Sequence, residues 1–567
     1  MDSDSSSVSS NESQAEAEQE SDLTAVVEFL VASGHFFQVI SPANGVDDDD
    51  YYKTKPDRSK LKRDTTILDN SEISLATKQA SGHIHAIPKR RPTNVVNMIN
   101  ARQEGMFGST TFTRGDKCRI SNERLPKRMR MLDSFDSKAF CGVYSQDGDR
   151  FLVAAQDRLI RLYDCKNGFF KRSAVIKAKD VGWSILDTAF SPDGNCVAYS
   201  SWSENIHILK LNDSIDQNEP VQVTLQLLPE ERRFCIFSLV FSADGNEVLG
   251  GANDGNLYVY DRTLNRRTLK INSHSADVNT VAFADSSSQI LYSGGDDGFC
   301  KVWDRRTLNE RKPVPVGVLA GHVDGITYID SRGDGRHFIS NSKDQTIKLW
   351  DIRKFSSKDA QIEANKELFR FEWDYRWQKV PRKLIHGRSK LQGDTSLMTY
   401  RGHLVLQTLI RCHFSPAFTT GQSFIITGCA TGQALVYDTL TGEIVKEYDG
   451  HVCCVRDVAW HPYRSEIVTT SWDNSIRCWS HDYEASCQSG GDLDDGGDGD
   501  AGDLDSIARQ PLRRSKRLAE KRSNSAAQAS STTRSGQNAI HKCFRGCKWQ
   551  SGFSRFGMKL ILEESIS

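Results

Sequence analysis

One feature limits the fold of this chain more than any other: between residues 134 and 480 the sequence is periodic. Short alternating apolar runs are separated by Gly, Asp and Asn turns, a pattern typical of many short antiparallel strands. Seven units end in an aromatic or apolar residue, usually followed by Asp: Tyr163-Asp164, Leu209-Lys210, Tyr260-Asp261, Trp303-Asp304, Trp350-Asp351, Tyr437-Asp438 and Trp479-Ser480. The intervals are 46, 51, 43, 47, 87 and 42 residues. All but the fifth have the length of a four-stranded propeller blade, and the fifth equals one blade plus an insertion of roughly 40 residues.

Three of the units share four side chains at matching offsets. Each has a His, then a Ser or Thr, an Asp four residues after the hydroxyl residue, and a Trp six residues after the Asp. The sets are His274, Ser293, Asp297, Trp303; His322, Ser340, Asp344, Trp350; and His451, Thr469, Asp473, Trp479. A Ser–His–Asp set is the composition of a catalytic triad. A triad should occur once, however, and this set occurs three times with a Trp attached, so we interpret it as structural.

These sets resemble those of the WD-repeat β-propeller family. The resemblance implies a hydrogen-bonded chain through the His, the hydroxyl, the Asp and the Trp indole N–H, which satisfies polar groups that the blade buries. The other blades depart from the pattern, and the sixth offers only His403, Thr427, Thr431 and Tyr437. In this family the last strand of each repeat belongs to the next blade, and an open ring would leave unpaired strand edges. Residues 128–135 are therefore expected to complete the seventh blade.

The fold predicted on this basis is all-β, a seven-bladed propeller over residues 128–482. The insertion at about 356–398 lacks a strand pair with its turn, so we do not predict an eighth blade.

Two neighbouring units carry a further motif. The fourth ends LYSGGDDGFCKVWDRR and the fifth ends FISNSKDQTIKLWDIR. Both resemble the W-D-x-R box of substrate receptors of cullin-4 ubiquitin ligases, and the resemblance implies that six residues bind the linker subunit: Trp303, Asp304, Arg306, Trp350, Asp351 and Arg353. The Arg follows the end of a strand and projects from one rim, where its guanidinium can donate paired hydrogen bonds to acceptors of a partner. The alternative is that both arginines are solvated rim charges.

The two boxes, the short helices before the propeller and the insertion with EWDYRWQKVP resemble one family over about residues 93–482. It is the family of damaged-DNA-binding-protein/cullin-4-associated factor 11, also called WD-repeat protein 23, with its plant relatives. The resemblance implies a non-catalytic adaptor that docks the damaged-DNA-binding linker subunit of a cullin-4 scaffold and presents client proteins for ubiquitination and proteasomal degradation. The alternative is a WD-repeat scaffold of a nuclear chromatin or RNA-processing complex without a ligase role.

The top rim of the propeller is the candidate surface for clients. Its loop and first-strand positions include Trp202, Asp277, Asn279, Asp296, Lys343, Arg456 and Trp472. Two exposed tryptophans with an arginine are the composition of interaction hot spots. The alternative is that these are ordinary loop residues, with the tryptophans packed on their neighbours.

Both ends of the chain are biased in composition. Residues 1–92 are acidic and are expected to be largely disordered, with a short helix near 24–34 that docks on the folded body or on a partner. Residues 93–127 are expected to hold a short helix, capped by Thr93, and a linker. Residues 483–567 are expected to be disordered, first acidic and then basic. The basic cluster has the composition of a nuclear localisation signal, against the alternative of a solvated charge run: Arg513, Arg514, Lys516, Arg517, Lys521 and Arg522.

Composition excludes several classes of function. Lys and Arg number 73 and Asp and Glu 74, so a chain-wide nucleic-acid or membrane-surface binder is excluded. Because no long apolar stretch and no signal peptide occur, we expect an intracellular protein of the nucleus and cytoplasm whose 14 cysteines are mostly reduced. Motifs of nucleotide binding, zinc proteolysis and α/β-hydrolase chemistry are absent, as is zinc-finger Cys spacing. We therefore expect no enzyme, no cofactor, no metal site and no direct nucleic-acid binding.

Overall fold

The chain forms a ring of seven antiparallel sheets. The computed structural model describes residues 55–61, 63–83, 94–104, 111–211, 220–227, 234–368, 373–376, 378–385 and 390–481. Within these ranges lie 28 strands in seven sheets of four. The predicted all-β, seven-bladed propeller is confirmed, and the insertion adds no blade.

The strands of each blade are called a to d, from the innermost to the outermost. Blade 1 consists of β2 (Ala139–Tyr144), β3 (Arg150–Ala155), β4 (Leu159–Asp164) and β5 (Lys171–Lys177). Blade 2 consists of β6 (Ile185–Phe190), β7 (Cys196–Ser201), β8 (Asn205–Lys210) and β9 (Gln222–Gln226). Blade 3 consists of β10 (Ile236–Phe241), β11 (Glu247–Ala252), β12 (Asn256–Asp261) and β13 (Arg266–Asn272). Blades 4 and 5 consist of β14 Val278–Phe283, β15 Ile290–Gly295, β16 Cys300–Asp304, β17 Gly317–Leu319; and β18 Ile326–Ser331, β19 His337–Ser342, β20 Thr346–Asp351, β21 Met398–Arg401. Blades 6 and 7 consist of β22 Cys412–Phe414, β23 Phe424–Gly428, β24 Gln433–Asp438, β25 Ile444–Asp449; and β26 Val455–Trp460, β27 Ile467–Ser471, β28 Ser475–Ser480, with β1 Arg128–Ser134 as strand d.

The ring is closed by β1, which precedes blade 1 in sequence. It pairs antiparallel with β28, with Arg128 opposite Ser480 and Ser134 opposite Ser475. A hydrogen bond of 2.7 Å from Tyr163 Oη to Asp133 Oδ2 ties this strand to blade 1 as well. Strand d of blade 7 therefore comes from one end of the propeller sequence, and strands a to c come from the other.

Directed hydrogen bonds link the inner strands of successive blades. In each, a polar side chain on strand a accepts from a backbone N–H of the next blade's strand a. The pairs are Asp187 with Leu239 at 2.8 Å, Ser238 with Val281 at 3.3 Å, Thr280 with Ile329 at 2.9 Å, Asp330 with Phe414 at 2.7 Å and Asp457 with Gly142 at 3.1 Å. These bonds fix the register between blades more strictly than apolar packing alone, because a hydrogen bond tolerates little displacement.

A buried ion network crosses the centre of the ring. The Arg411 guanidinium lies 2.6 Å from Asp187 of blade 2 and 3.2 Å from Asp457 of blade 7. Burial would raise the pKa of Asp457, but the charges of Arg411 and His413 outweigh it and hold this pKa at about 2. Asp457 is therefore ionised, and Arg411 joins it to Asp187 across the ring.

We call the face with the b–c and d–a loops the top and the opposite face the bottom. The segment before the propeller packs on the outside of blade 6 and on the bottom. Arg58, in a short 3-10 helix (Arg58–Lys60), donates to the Gly402 carbonyl at 3.0 Å. Helices α1 (Thr66–Asp69) and α2 (Glu72–Ala80) follow, and Leu68 and Ile73 lie fully buried in one apolar cluster with Tyr400.

Two further helices precede β1. The expected helix at 93–104 is α3 (Val95–Gln103), but its N-cap is Asn94, which accepts from the Asn97 N–H, and not Thr93. Helix α4 (Arg114–Glu123) carries a capping box between Thr113 and Asp116 and packs on α7 (Ala417–Thr420) of blade 6. Helices α1, α2 and α4 were not predicted from sequence. The helix expected near 24–34 lies outside the described residues.

The insertion in blade 5 lies on the top. It contains α5 (Lys358–Leu368) and α6 (Arg382–Ile385). Ala364 of α5 packs with Phe299 of blade 4, and Trp373 Nε1 donates to Asp324 of blade 5 at 3.0 Å. The Gln407 N–H, in the loop leading into blade 6, donates to the Tyr375 carbonyl at 2.8 Å. The insertion thus covers the top of blades 4 to 6. No helix in the described part of the chain is long and apolar enough to span a membrane.

Candidate protein-docking surfaces

The three His–hydroxyl–Asp–Trp sets each form a closed hydrogen-bonded chain. In blade 4, His274 Nε2 lies 2.7 Å from Ser293 Oγ, Trp303 Nε1 donates to the same Oγ at 2.9 Å, and His274 Nδ1 lies 2.8 Å from Asp297. The corresponding distances are 2.7, 2.7 and 2.9 Å in blade 5 and 2.7, 3.1 and 2.9 Å in blade 7.

A substrate cannot reach the hydroxyl groups of these hydrogen-bonded sets. The residues Ser293, Ser340 and Thr469 have no exposed surface. Burial lowers the pKa of His274 and of His451. A neutral imidazole can donate from Nδ1 to the Asp and accept at Nε2 from the hydroxyl, so every polar group in the chain is satisfied. The arrangement supports blade folding and leaves no nucleophile in reach of solvent.

Blade 6 holds a reduced version of this chain. His403 Nδ1 lies 3.1 Å from Tyr437 Oη, in place of the Asp, and His403 Nε2 lies 2.9 Å from Asn341 Oδ1 of blade 5. Complete burial lowers the pKa of His403 to about 3, so this imidazole is neutral and links two blades.

The W-D-x-R boxes place their arginines on the bottom. The Asp304 carboxylate accepts from Arg306 N at 3.0 Å, from Nε at 2.9 Å and from Nη2 at 2.7 Å, which holds the side chain in one orientation. The side chain of Arg306 is still 65% exposed, and that of Arg353 is 63% exposed. Trp303 and Trp350 are buried, so the prediction that these tryptophans contact a partner is wrong; they serve the internal chains described above.

Asp351 differs from Asp304 in its partner. It is buried, and it binds the Arg336 guanidinium through two bonds of 2.9 and 2.6 Å; from Arg353 of its own box it accepts only the backbone N–H, at 3.0 Å. Arg353 reaches instead to Glu72 of α2, with Nη1 3.3 Å from Oε1. Glu72 also pairs with Arg336, and the hydrogen bond from Arg336 lowers the Glu72 pKa. The bottom surface at blade 5 is therefore shared by the box and α2.

Sequence reasoning missed Glu72 and Arg336. A signal was available for Glu72, since Ser71-Glu72 directly before an apolar residue is a typical helix start. Nothing in the sequence could have placed that helix against blade 5, because the contact depends on the route of residues 55–71 around blade 6.

Another groove lies beside the blade 4 box, between blades 3 and 4 on the bottom. It encloses about 430 Å³ and is lined chiefly by Asp244, Asn246, Glu247, Asp261, Gln289 and Arg305. Arg305 forms two bonds of 2.6 Å with Glu247, which leaves the other carboxylates of the groove as its main charges.

The structure separates the predicted client rim into exposed and buried residues. Trp202 is 44% exposed, and Asp277 and Asp296 are half-buried. Trp472 and Arg456 are buried, and the expectation that they are exposed is wrong. Arg456 points to the centre of the ring, where Nη1 donates to the Phe140 carbonyl at 2.5 Å, while Lys138 covers the Trp472 ring at 4.2 Å.

Two more of the predicted rim residues form contacts with other residues of the propeller and its insertion. Asn279 Nδ2 donates to the Ile326 carbonyl at 2.8 Å, and Lys343 Nζ lies 2.7 Å from Asp296 and 4.3 Å from the centre of the Tyr375 ring. An exposed aromatic that the sequence analysis missed is Trp183, next to Trp202 on blade 2. Its signal is its position in the loop directly before strand a of that blade.

Residues outside the described ranges include the whole basic cluster 513–522. Among the described residues, no group of His, Cys, Asp and Glu side chains has the arrangement of a metal site.

Comparison with known proteins gives a family model and several relatives. The model, "WD domain, G-beta repeat", matches residues 265–304, 313–351 and 442–480, the three blades with complete polar chains. The chain is 39% identical over 404 residues to "DDB1- and CUL4-associated factor 11 homolog" of Caenorhabditis elegans, covering 70% of each protein. It is 40% identical over 423 residues to "LEC14B homolog" of Prunus armeniaca, covering 72% of this chain and 87% of the relative. Identity to "LEC14B protein" of Lithospermum erythrorhizon is 39% over 398 residues, 69% of this chain and 83% of the relative.

Proposed function

Because this chain belongs to the family of the DDB1- and CUL4-associated factor 11 homologues and LEC14B proteins, we propose that it is a substrate-recognition adaptor of a cullin-4 RING-type E3 ubiquitin ligase. Its bottom surface docks the linker subunit DDB1, and its top presents client proteins for ubiquitination and proteasomal degradation. The observation that carries the proposal is the pair of exposed guanidinium groups, Arg306 and Arg353, in two consecutive W-D-x-R boxes.

The geometry of the bottom suits a protein interface. Asp304 holds Arg306 in place before any partner arrives, so less side-chain entropy is lost on binding. A planar guanidinium can then donate paired hydrogen bonds to carbonyl or carboxylate oxygens of DDB1. Helix α2 extends this surface at blade 5 through Glu72, and the acidic groove borders it at blade 4.

The adaptor itself is non-catalytic in this proposal. Its triad-like hydroxyls are sealed inside the blades, and ubiquitin transfer belongs to other subunits. We propose that the protein works in both nucleus and cytoplasm, with the basic cluster at 513–522 as the import signal.

Binding of purified DDB1 to box variants tests the docking surface. We expect Arg306→Ala and Arg353→Ala each to weaken binding by about 2–5 kcal/mol if the guanidinium is desolvated at the interface. Lys should restore binding only in part, because it keeps the charge but lacks the planar fork. Arg158→Ala, at an exposed arginine in the b–c turn of blade 1 on the top, is the control and should bind normally.

Melting curves establish that each variant is folded. A folded double variant that binds DDB1 with wild-type affinity would contradict the proposal and would favour a scaffold without a ligase role.

A further inference from the structure

Two half-exposed tryptophans lie in neighbouring loops on the top of blade 2. Trp183 is 48% exposed and Trp202 is 44% exposed. Each packs edge-on against a phenylalanine of a neighbouring blade: Trp183 on Phe140 of blade 1, with ring centres 5.4 Å apart, and Trp202 on Phe237 of blade 3, at 5.9 Å. We call these four residues the aromatic arc. Large aromatics of a soluble protein are normally buried, so two open indoles on one face indicate an interaction surface.

Gly182 brings the two loops of the arc together. A Cβ at this position would lie 2.9 Å from Trp202 Cβ and 3.1 Å from the Trp202 carbonyl oxygen. Only a residue without a side chain lets the loop that carries Trp183 approach the loop that carries Trp202. The Gly182 N–H also donates to Ser201 Oγ at 3.0 Å, which fixes this approach.

Among the described residues, none covers the exposed parts of Trp183 and Trp202 on the top. The insertion covers blades 4 to 6, where Trp373 and Tyr375 bind the loops of blades 5 and 6. The insertion also reaches toward blade 1, because its Val380 and Leu384 lie in the same buried cluster as Phe140. Trp183 and Trp202 nevertheless keep nearly half of their surface exposed.

Negative charge borders the arc at blades 3 and 4. The Cys235 N–H, two residues before Phe237, donates to Asn253 Oδ1 at 2.8 Å, which brings the Asp254 loop to the start of this strand. Burial chiefly raises the pKa of Cys235, and the charges of Asp277 and Asp254 raise it further, so both carboxylates lie close to this end of the arc.

The Asp277 carboxylate has no hydrogen-bond partner in the described part of the chain. Burial, followed by the charge of Asp296, raises its pKa to about 6, although Lys343 and Arg376 oppose this rise. Those two cations are already paired, Lys343 with Asp296 and Arg376 with Asp374. The negative charge at this end of the arc is thus incompletely compensated, and a cation from a partner would stabilise it.

We infer that the aromatic arc is the client-docking surface and that it takes a peptide segment with an apolar side chain next to a lysine or arginine. The apolar side chain packs on Trp183 and Trp202, and the basic one pairs with Asp277 and Asp254. This inference rests on the proposed function for its biological meaning, but the binding it describes belongs to this chain alone.

Short synthetic peptides test the inference on the full chain without DDB1. The probes are a labelled peptide of alternating Arg and Leu, one of alternating Glu and Leu, and one of alternating Arg and Ser, followed by fluorescence anisotropy. We expect the Arg–Leu peptide to bind most tightly. Trp183→Ala and Trp202→Ala should each weaken it about tenfold or more, the effect of losing a hot-spot aromatic. Phe169→Ala is the matched control, because Phe169 is a 55% exposed aromatic on the bottom.

The pH profile separates a charge contact from a packing effect. Protonation of Asp277 below about pH 6 removes the negative charge that the basic side chain meets, so affinity for the Arg–Leu peptide should fall there. The Asp277→Asn variant should bind the peptide more weakly at neutral pH and should lose this step in the profile. The charged residues around Asp277 are the same in the wild type and in this variant: Asp254, Asp296, Lys343 and Arg376.

Several results would overturn the inference. They are equal or tighter binding of the Glu–Leu peptide, Arg–Leu binding that survives both tryptophan changes, or no Arg–Leu binding at about 1 mM. None of these outcomes alters DDB1 binding through Arg306 and Arg353, so a failed arc and a failed ligase role are distinguishable.

Discussion

Asp473 offers the sharpest test of the polar chain in blade 7. Its carboxylate accepts from His451 Nδ1 at 2.9 Å, Ser475 Oγ at 2.6 Å, Ser475 N at 3.1 Å and Val452 N at 3.2 Å, and its side chain is only 8% exposed. The change Asp473→Ala leaves these donors without an acceptor. Leaving buried donors unpaired costs about 1–3 kcal/mol of the free energy of unfolding.

The pKa of Asp473 gives a second value for its contribution to the free energy of unfolding. Burial would raise the pKa of Asp473, but the hydrogen bonds from His451 and Ser475 outweigh it and lower this pKa from 3.8 to about 2. That difference corresponds to about 2 kcal/mol of stability at neutral pH. The two magnitudes agree, and in a domain of this size they predict a fall in Tm of about 2–5 °C.

The sign of the pH dependence follows from the lowered pKa. The folded protein binds a proton at Asp473 less readily than the unfolded chain, so this stability is complete above about pH 4 and is lost as the pH falls toward about 2. The difference in Tm between wild type and Asp473→Ala should therefore be constant from neutral pH down to about pH 5 and should narrow below about pH 4.

Thermal unfolding followed by circular dichroism provides the measurement. Asp136→Ala is the control, because Asp136 lies exposed between β1 and β2 and has no His partner among the described residues. An unchanged Tm for Asp473→Ala, or an equal loss for both variants, would refute the reasoning.

Three other changes should alter stability by different mechanisms. Deletion of residues 1–134 removes β1 and should prevent cooperative thermal unfolding, whereas deletion of 1–54 should not; equal transitions would contradict closure by β1. Ile73→Ala should cost about 2–4 kcal/mol in denaturant unfolding, because the Ile73 side chain is fully buried against the propeller, while Leu75→Ala at an exposed position of the same helix should cost little. Arg411→Leu should cost about 3–5 kcal/mol by removing the guanidinium that Asp187 and Asp457 share, and the loss in Tm should diminish when Asp187→Asn is added; full additivity would argue against a shared network.

The sequence predicts those parts of the molecule that repeat. The seven blades follow from spacing, and the polar chains from three matching sets of four residues, because each blade solves the same packing problem with the same residues. A side-chain contact that occurs in only one blade cannot be predicted from the repeat. Sequence register placed Trp472 and Arg456 at the top, but it could not show that Lys138 covers one and that the other turns to the centre of the ring.

Long-range contacts were the other limit. Helix α2 has an ordinary amphipathic start, yet its role depends on a contact between Glu72 and Arg353, which are 281 residues apart in sequence. The arc likewise depends on Gly182, whose significance appears only when its distance from Trp202 is known. Spacing within a repeat contains no information about either contact.

The position of β1 also sets the order of events during synthesis. This strand leaves the ribosome first among those of the propeller, but its partner β28 ends at Ser480, 346 residues after Ser134. At a translation rate of roughly 5–20 residues per second, β1 waits about 20–70 s with an unpaired edge. During that interval its exposed methionines and free backbone groups are available to chaperones, proteases or other nascent chains. Stalled chains ending before residue 475 should therefore be cut within β1 by a protease that spares it in the completed protein.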